Sequence, residues 1–376
     1  MRLFIICFAF LPFWINAQTP ITDNHWQLLW EDEFNTFDAN RWEKKDQFDQ
    51  YGQQVQVFIE ENANVNAGVL ELELKQETFS CEQWAQDPLY FCVGQYYSGQ
   101  PYQYTSGFIQ TKSTEKTQYG YIEARIKLSS SGEGLWPAFW TYAGPPGKDK
   151  NDTEEIDIFE ILPGRIESNK LRHSCDPDCD NSWFKPKSCS DCHWLTVPHQ
   201  MKHDKNWITS NIHRRHGESL FGKPPFEIHQ INDYTQWHKY AIEWSPSKII
   251  FYVDDKVVRV SKNNGLYDIN MEHSIKLSLS MDPNNSSSFS HLPAKMFVDY
   301  VKVYKLNEDC FNNTVLGPSY NYSNYMNSVK NTISINNNSL TVGENISLRA
   351  SNWIHVSGNF LVPVGSDFFM DVNQCP

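Results

Sequence analysis

The chain is dominated by short segments in which apolar and polar residues alternate, and this pattern constrains its fold more than any other feature. GVLELELK (68–75), YGYIEARIKL (119–128), LWPAFWTY (135–142), IDIFEIL (156–162), YAIEW (240–244), KIIFYVDDKVVRV (248–260), IKLSLSM (275–281) and MFVDYVKVYK (296–305) are rich in β-branched and aromatic residues. No comparable stretch carries a sustained helical period. Close spacing, with Gly, Asn and Asp turns such as the one at Asp254, indicates an all-β chain folded as an antiparallel sandwich.

At 376 residues, with 40% hydrophobic and 14% aromatic content, the chain exceeds one ordinary domain and can bury a large core. Residues 1–17, MRLFIICFAFLPFWINA, combine a basic Arg2 with an apolar run too short to span a bilayer. They read as a signal peptide cut after Ala17, which predicts a secreted protein. No later segment is long and apolar enough to cross a membrane. Export places the cysteines in an oxidising compartment, and loss of Cys7 leaves eight of the nine. Cys81 and Cys92 bracket one loop and are expected to pair. Cys175, Cys179, Cys189 and Cys192 are spaced for two disulfides, the reading export favours, or for one tetrahedral zinc ion. A net charge of −13 argues against nucleic acid as a partner. After Tyr304 the composition turns rich in Asn and Ser, so 307–338 is expected to be a linker leading to a small β module over 339–376.

EEIDIFEIL (154–162) poses a problem of parity. In a regular strand Glu155 and Asp157 share one face and Glu160 takes the other. A β-bulge at Ile158 and Phe159 would insert one extra residue and return Glu160 to the face of the other two acids. The two glutamate Cα atoms would then lie roughly 13 Å apart along the strand. Their long side chains could lean together over Asp157 toward the separation of about 5 to 5.5 Å used by a retaining glycosidase. Pairing Glu154 with Glu160 spans about 20 Å and cannot serve one bond. Clustering like charge on one face of an otherwise apolar strand is unfavourable unless a site requires it.

The same stretch resembles the E-[ILV]-D-x-x-E signature, in its bulged form, of glycoside hydrolase family 16. WEDEFNTFDANRW (30–42), YTSGFIQTK (104–112), YGYIEARIKL, GLWPAFWTY, WHKYAIEWSPSKIIFYVDD and VDYVKVY resemble further blocks of that family, in the family's order. The resemblance implies an antiparallel β-jelly roll over 22–306 with a concave cleft for a polysaccharide chain. By the family pattern Glu155 would be the nucleophile, Glu160 the acid/base, and Asp157 the residue that bonds and tunes the nucleophile. No catalytic cofactor is implied. A structural calcium, with Glu33, Gly68 and Asp299 among its ligands, is a further implication.

Trp136 and Trp140 share a parity just before the acidic strand and are candidates to stack on sugar rings. His213, in NIHRR, is a candidate to bond a sugar hydroxyl, whereas Trp244 reads as core. The cysteine-rich stretch 165–207 is expected to wall one end of the cleft. These readings predict a monomeric, secreted, retaining endo-hydrolase of β-1,3- or mixed-linkage glucan. A hydrolase of sulfated or agar-type galactan is the alternative, encouraged by basic residues in the insertion and by Arg214 and Arg215. A non-catalytic carbohydrate-binding protein is the third reading, and the intact acid triad argues against it.

Overall fold

The computed structural model describes residues 26–44, 56–79, 102–130, 134–144, 152–161, 171–172, 194–195, 206–216, 227–246, 248–262, 269–281, 291–322 and 329–372. The expected leader 1–17, Cys81, Cys92, Cys175, Cys179, Cys189 and Cys192 lie outside them, as does nearly all of 165–207. From that stretch, Leu171–Arg172 pairs antiparallel with Trp194–Leu195. Among the described residues no helix is long and apolar enough to cross a membrane.

Two β-sheets pack face to face in a jelly roll. The larger has ten strands, with Gly120–Leu128 flanked by His238–Trp244 and Ala294–Leu306 near its middle. The smaller has seven, all antiparallel. Their order is Glu227–Gln230, Trp207–His216, Asp152–Glu160, Leu135–Ala143, Ser274–Met281, Phe108–Thr111 and Trp42–Glu43. The alternation read from the sequence explains the layering. Leu70, Leu72, Ile122, Ile126 and Val298 of the larger sheet meet Phe139, Ile156, Ile275, Leu277 and Leu279 of the smaller in one core, and burying these faces drives the sheets together. Gly107 lies between Tyr102–Ser106 of the larger sheet and Phe108–Thr111 of the smaller, where the chain changes sheets. A Cβ there would lie 2.2 Å from the carbonyl oxygen of Asn62, so the crossing requires glycine.

The expected linker is corrected by the structure. Glu308–Leu316 and Val329–Asn336 are strands, and with Asn345–Ser357 and Asp367–Val372 they form a four-stranded parallel sheet in chain order. Consecutive parallel neighbours mean that the chain coils, each turn stacking on the last around Leu316, Ile333, Ile335, Leu340 and Leu348. The abundant asparagines bond between coils instead of marking disorder. Asn338 Nδ2 donates to Gly317 O at 2.6 Å, Thr332 Oγ1 donates to Asn313 Oδ1 at 2.8 Å, and Asn337 Oδ1 accepts from Asn359 N at 3.1 Å. Cys310, in the first of these strands, is disulfide-bonded.

This module is fastened to the jelly roll by charge. Arg349 Nη1 donates to Glu243 Oε1 at 2.9 Å, and the two side chains are 3% and 1% exposed. Asp371 bridges Arg349 at 3.3 Å and Lys248 at 2.6 Å. The Arg349 guanidinium also lies 5.7 Å from the centroid of Trp26. Trp26 in turn packs with Tyr121, Ala241 and Tyr252 on the large sheet.

Candidate active site

The acids project from Asp152–Glu160, an inner strand of the seven-stranded sheet, and that strand is bulged. Toward Trp207–His216 the register runs Glu155 to His213, Ile156 to Ile212 and Asp157 to Asn211, and then Glu160 to Thr209, three residues against two. Toward Leu135–Ala143, Asp157 faces Trp140 and the next pair is Phe159 with Phe139, two residues against one. The extra residue falls between Asp157 and Phe159, where the parity argument requires it. Ile158 and Phe159 both enter the core, and Phe159 stacks on Tyr240 with ring centroids 4.3 Å apart. Glu155, Asp157 and Glu160 therefore share the face turned away from the core. Glu160's carbonyl accepts from Thr209 Oγ1 at 2.9 Å, which fixes the strand just beyond the bulge.

The three carboxyls have different partners. Glu160 Oε1 accepts from Trp136 Nε1 at 2.7 Å. Glu155 and Asp157 bring carboxylate oxygens within 4.8 Å of each other, so the charge of Asp157 opposes ionisation of Glu155. His213 Nε2 lies 3.2 Å from Asp157 Oδ2 and 3.9 Å from Glu155 Oε1. Burial, and next the charge of Asp157, push the Glu155 carboxyl up to about 7, while His213 and Lys276 pull it down. Such a group is only partly ionised near neutrality. The ligand-type atoms of Glu155, Asp157 and His213 lie within 4.8 Å of one another.

Glu154 stands apart from this group. It is 2% exposed, and its Oε2 accepts from the backbone N–H groups of Asn270 and Met271, both at 2.8 Å, with His273 Nε2 at 3.2 Å. Its carboxylate anchors the chain entering Ser274–Met281 and takes no part in the triad.

A row of side chains crosses the outer face of the sheet in register: Asn211, Asp157, Trp140, Lys276, Gln110 and Glu43. Trp136 and Trp140 are both half-buried on this face, and Trp140 Nε1 donates to Ser278 Oγ at 3.2 Å. The structure thus brings Trp136, Trp140 and His213 together with the acids. Trp244, 1% exposed and bonded to Ile269 O at 3.1 Å, is core. Sequence reasoning missed Lys276, although SIKLSLSM carried the signal: strict alternation puts Ser274, Lys276, Ser278 and Ser280 on one face. Arg214 and Arg215 lie on the backbone of Trp207–His216, and their side chains fall outside the described set.

The residues expected around calcium are otherwise engaged. Glu33 pairs with Lys302 at 2.7 Å and Asp299 with Arg125 at 2.6 Å, while Gly68 occupies a tight turn with φ +78°. With each carboxylate on a cation, these donors as arranged do not fit an oxygen cage for calcium.

Comparison with known proteins adds the ancestry. The model of the family "Glycosyl hydrolases family 16" matches residues 45–173 and 201–302. A kappa-carrageenase from Pseudoalteromonas carrageenovora is 29% identical over 73% of this chain and 62% of its own length, just under two thirds. A beta-glucanase from Rhodothermus marinus is 26% identical over 75% of this chain and 86% of its own. The X-ray structure of an endo-beta-1,3-glucanase from Pyrococcus furiosus superposes with a TM-score of 0.54 at 24% identity, covering 75% of this chain and 95% of that one. That last likeness shows the shared fold.

Proposed function

The chain belongs to family 16 of the glycosyl hydrolases, and from that premise we propose that it is a retaining endo-hydrolase of a β-linked polysaccharide, with Glu155 as nucleophile and Glu160 as acid/base. The observation that carries this reading is the bulge between Asp157 and Phe159, which turns an alternating strand into one that presents three acids together. In the proposed cycle Glu160 gives its proton to the leaving glycosidic oxygen while ionised Glu155 attacks the anomeric carbon. Water activated by Glu160 then releases the sugar. Asp157, beside Glu155 and 3.2 Å from His213, holds the nucleophile in place. Trp136 orients Glu160 through its indole N–H. The half-buried rings of Trp136 and Trp140 border the acids and offer apolar faces to the sugars.

We favour β-1,3- or mixed-linkage glucan as substrate, a class consistent with the name of the Rhodothermus relative. The carrageenase relative supports a second reading, a sulfated galactan. The leader-like N-terminus supports export. The test is release of reducing ends from laminarin, lichenan, agarose, porphyran and kappa-carrageenan, with the anomeric form of the first product followed by NMR. Retention of the β anomer is expected, and Glu155→Gln should abolish turnover while still binding oligosaccharide. Primary α product, or near wild-type turnover in the variant, would overturn the assignment.

A further inference from the structure

Lys276 is wholly buried, at 0% exposure, in the middle of the row that crosses the acidic face. Its ammonium lies 4.7 Å from the ring centroid of Trp140, 5.1 Å from that of Tyr142 and 5.4 Å from that of Phe108. Removing a cation from water is unfavourable, and three aromatic rings offset part of that cost through their negative faces. Two of those rings belong to the cross-strand neighbours of the acids, since Trp140 faces Asp157 and Tyr142 faces Glu155. The lysine is therefore built into the wall beside the acids, one strand beyond Trp140 in the row of Asp157.

We propose that Lys276 is a positioning residue of the hydrolytic site, whose buried charge holds the Glu155–Asp157 pair in the ionised form that attack requires. The inference rests on the hydrolase reading and deepens it. Glu155 shares its face with Asp157 and Glu160 of its own strand and has His213 of Trp207–His216 and Tyr142 of Leu135–Ala143 across from it, while Lys276 of Ser274–Met281 stands one row over, beyond Trp140 and in register with Asp157. Beyond Lys276 stands Gln110, which bonds Glu43. Among the described groups, His213 and Lys276 are the two that can carry positive charge here, and both draw the Glu155 carboxyl downward against burial and Asp157. A free imidazole loses its charge near neutrality and a free ammonium only well above it, and the three rings offset part of what burial takes from the Lys276 charge. Lys276 thus supplies the field that persists where the enzyme must keep a carboxylate.

The test is a carbon-13 NMR titration of the Glu155 carboxyl, assigned by its loss in Glu155→Gln, in full-length protein without substrate. Lys276→Met should move the midpoint up by about one pH unit, the size expected for a charge two strand spacings away at the effective dielectric of a protein. The acid limb of kcat/KM should move with it, giving a loss of about tenfold below the midpoint and little change at pH 9. Lys276→Arg should restore both. An unmoved midpoint in folded Lys276→Met would overturn the proposal. If the methionine variant melts below the assay temperature, Lys276→Arg decides: a midpoint close to wild type is expected, and one raised by a full unit would show that charge is not what matters. Because the titration needs no substrate, failure of the polysaccharide panel would sink the hydrolase reading without deciding this one.

Discussion

Replacing Arg349 with alanine tests whether the coiled C-terminal module is part of the folding unit of the jelly roll. The guanidinium is 3% exposed, sits 2.9 Å from a Glu243 carboxylate that is 1% exposed, and also reaches Asp371 at 3.3 Å. Deleting one partner of such a pair leaves the other charge buried, at a cost of about 3 to 5 kcal/mol. Loss of the contact with Trp26 adds roughly 0.5 to 2 kcal/mol. Tyr252 Oη, at 3.5 Å from Glu243, gives back little of this. For domains of this size each kcal/mol lowers the melting temperature by roughly 2 to 4 °C, so a fall on the order of 10 °C is expected. Differential scanning calorimetry and urea unfolding, followed by tryptophan fluorescence, measure it. The double variant Arg349→Met with Glu243→Leu removes both charges and should recover most of the loss. A single variant within about 1 kcal/mol of wild type would refute the reasoning, because it would mean the pair is effectively solvated and the module a detachable appendage.

Trp136→Phe keeps the ring but removes the donor to Glu160. Turnover should fall roughly ten- to a hundredfold, the worth of one hydrogen bond to a charged group, with the melting temperature near wild type. Glu154→Ala should do the reverse. It strands the N–H groups of Asn270 and Met271, so stability falls by roughly 3 kcal/mol while steady-state kinetics at a permissive temperature stay within a few-fold. Glu155 links stability to pH in a direction that calorimetry can check. Its carboxyl rises from about 4.5 to about 7 on folding, so the stability tied to its proton is complete below about 4.5 and is lost as pH climbs through 7. Glu155→Gln, which cannot ionise, should melt above wild type at pH 8, with the gap closing toward pH 5. Equal melting at pH 8 would show that the carboxyl is not held up by burial.

Much of the fold and of the acid cluster was legible because strands write their burial into a period of two. That period marks the core faces of Gly120–Leu128 and Ser274–Met281, and its violation within EEIDIFEIL requires a bulge if the acids are to cooperate. Local alternation likewise separates Glu154 from the triad and places Lys276 on the polar face. Other features depend on which strands become neighbours, and pairing across long stretches of chain leaves no local mark. Asp157 comes to lie beside His213 because Asp152–Glu160 pairs with Trp207–His216, and Lys276 reaches Trp140 because Ser274–Met281 pairs with Leu135–Ala143. The Asn- and Ser-rich stretch misled for a related reason. Asparagine favours turns and solvent in isolation, but in a coiled parallel stack its amide bonds the next coil, a partner supplied by the stacking itself. The salt bridge between Arg349 and Glu243 joins residues separated by 106 positions. In the sequence they are two ordinary surface charges, and only burial at the seam between the module and the jelly roll makes them interdependent.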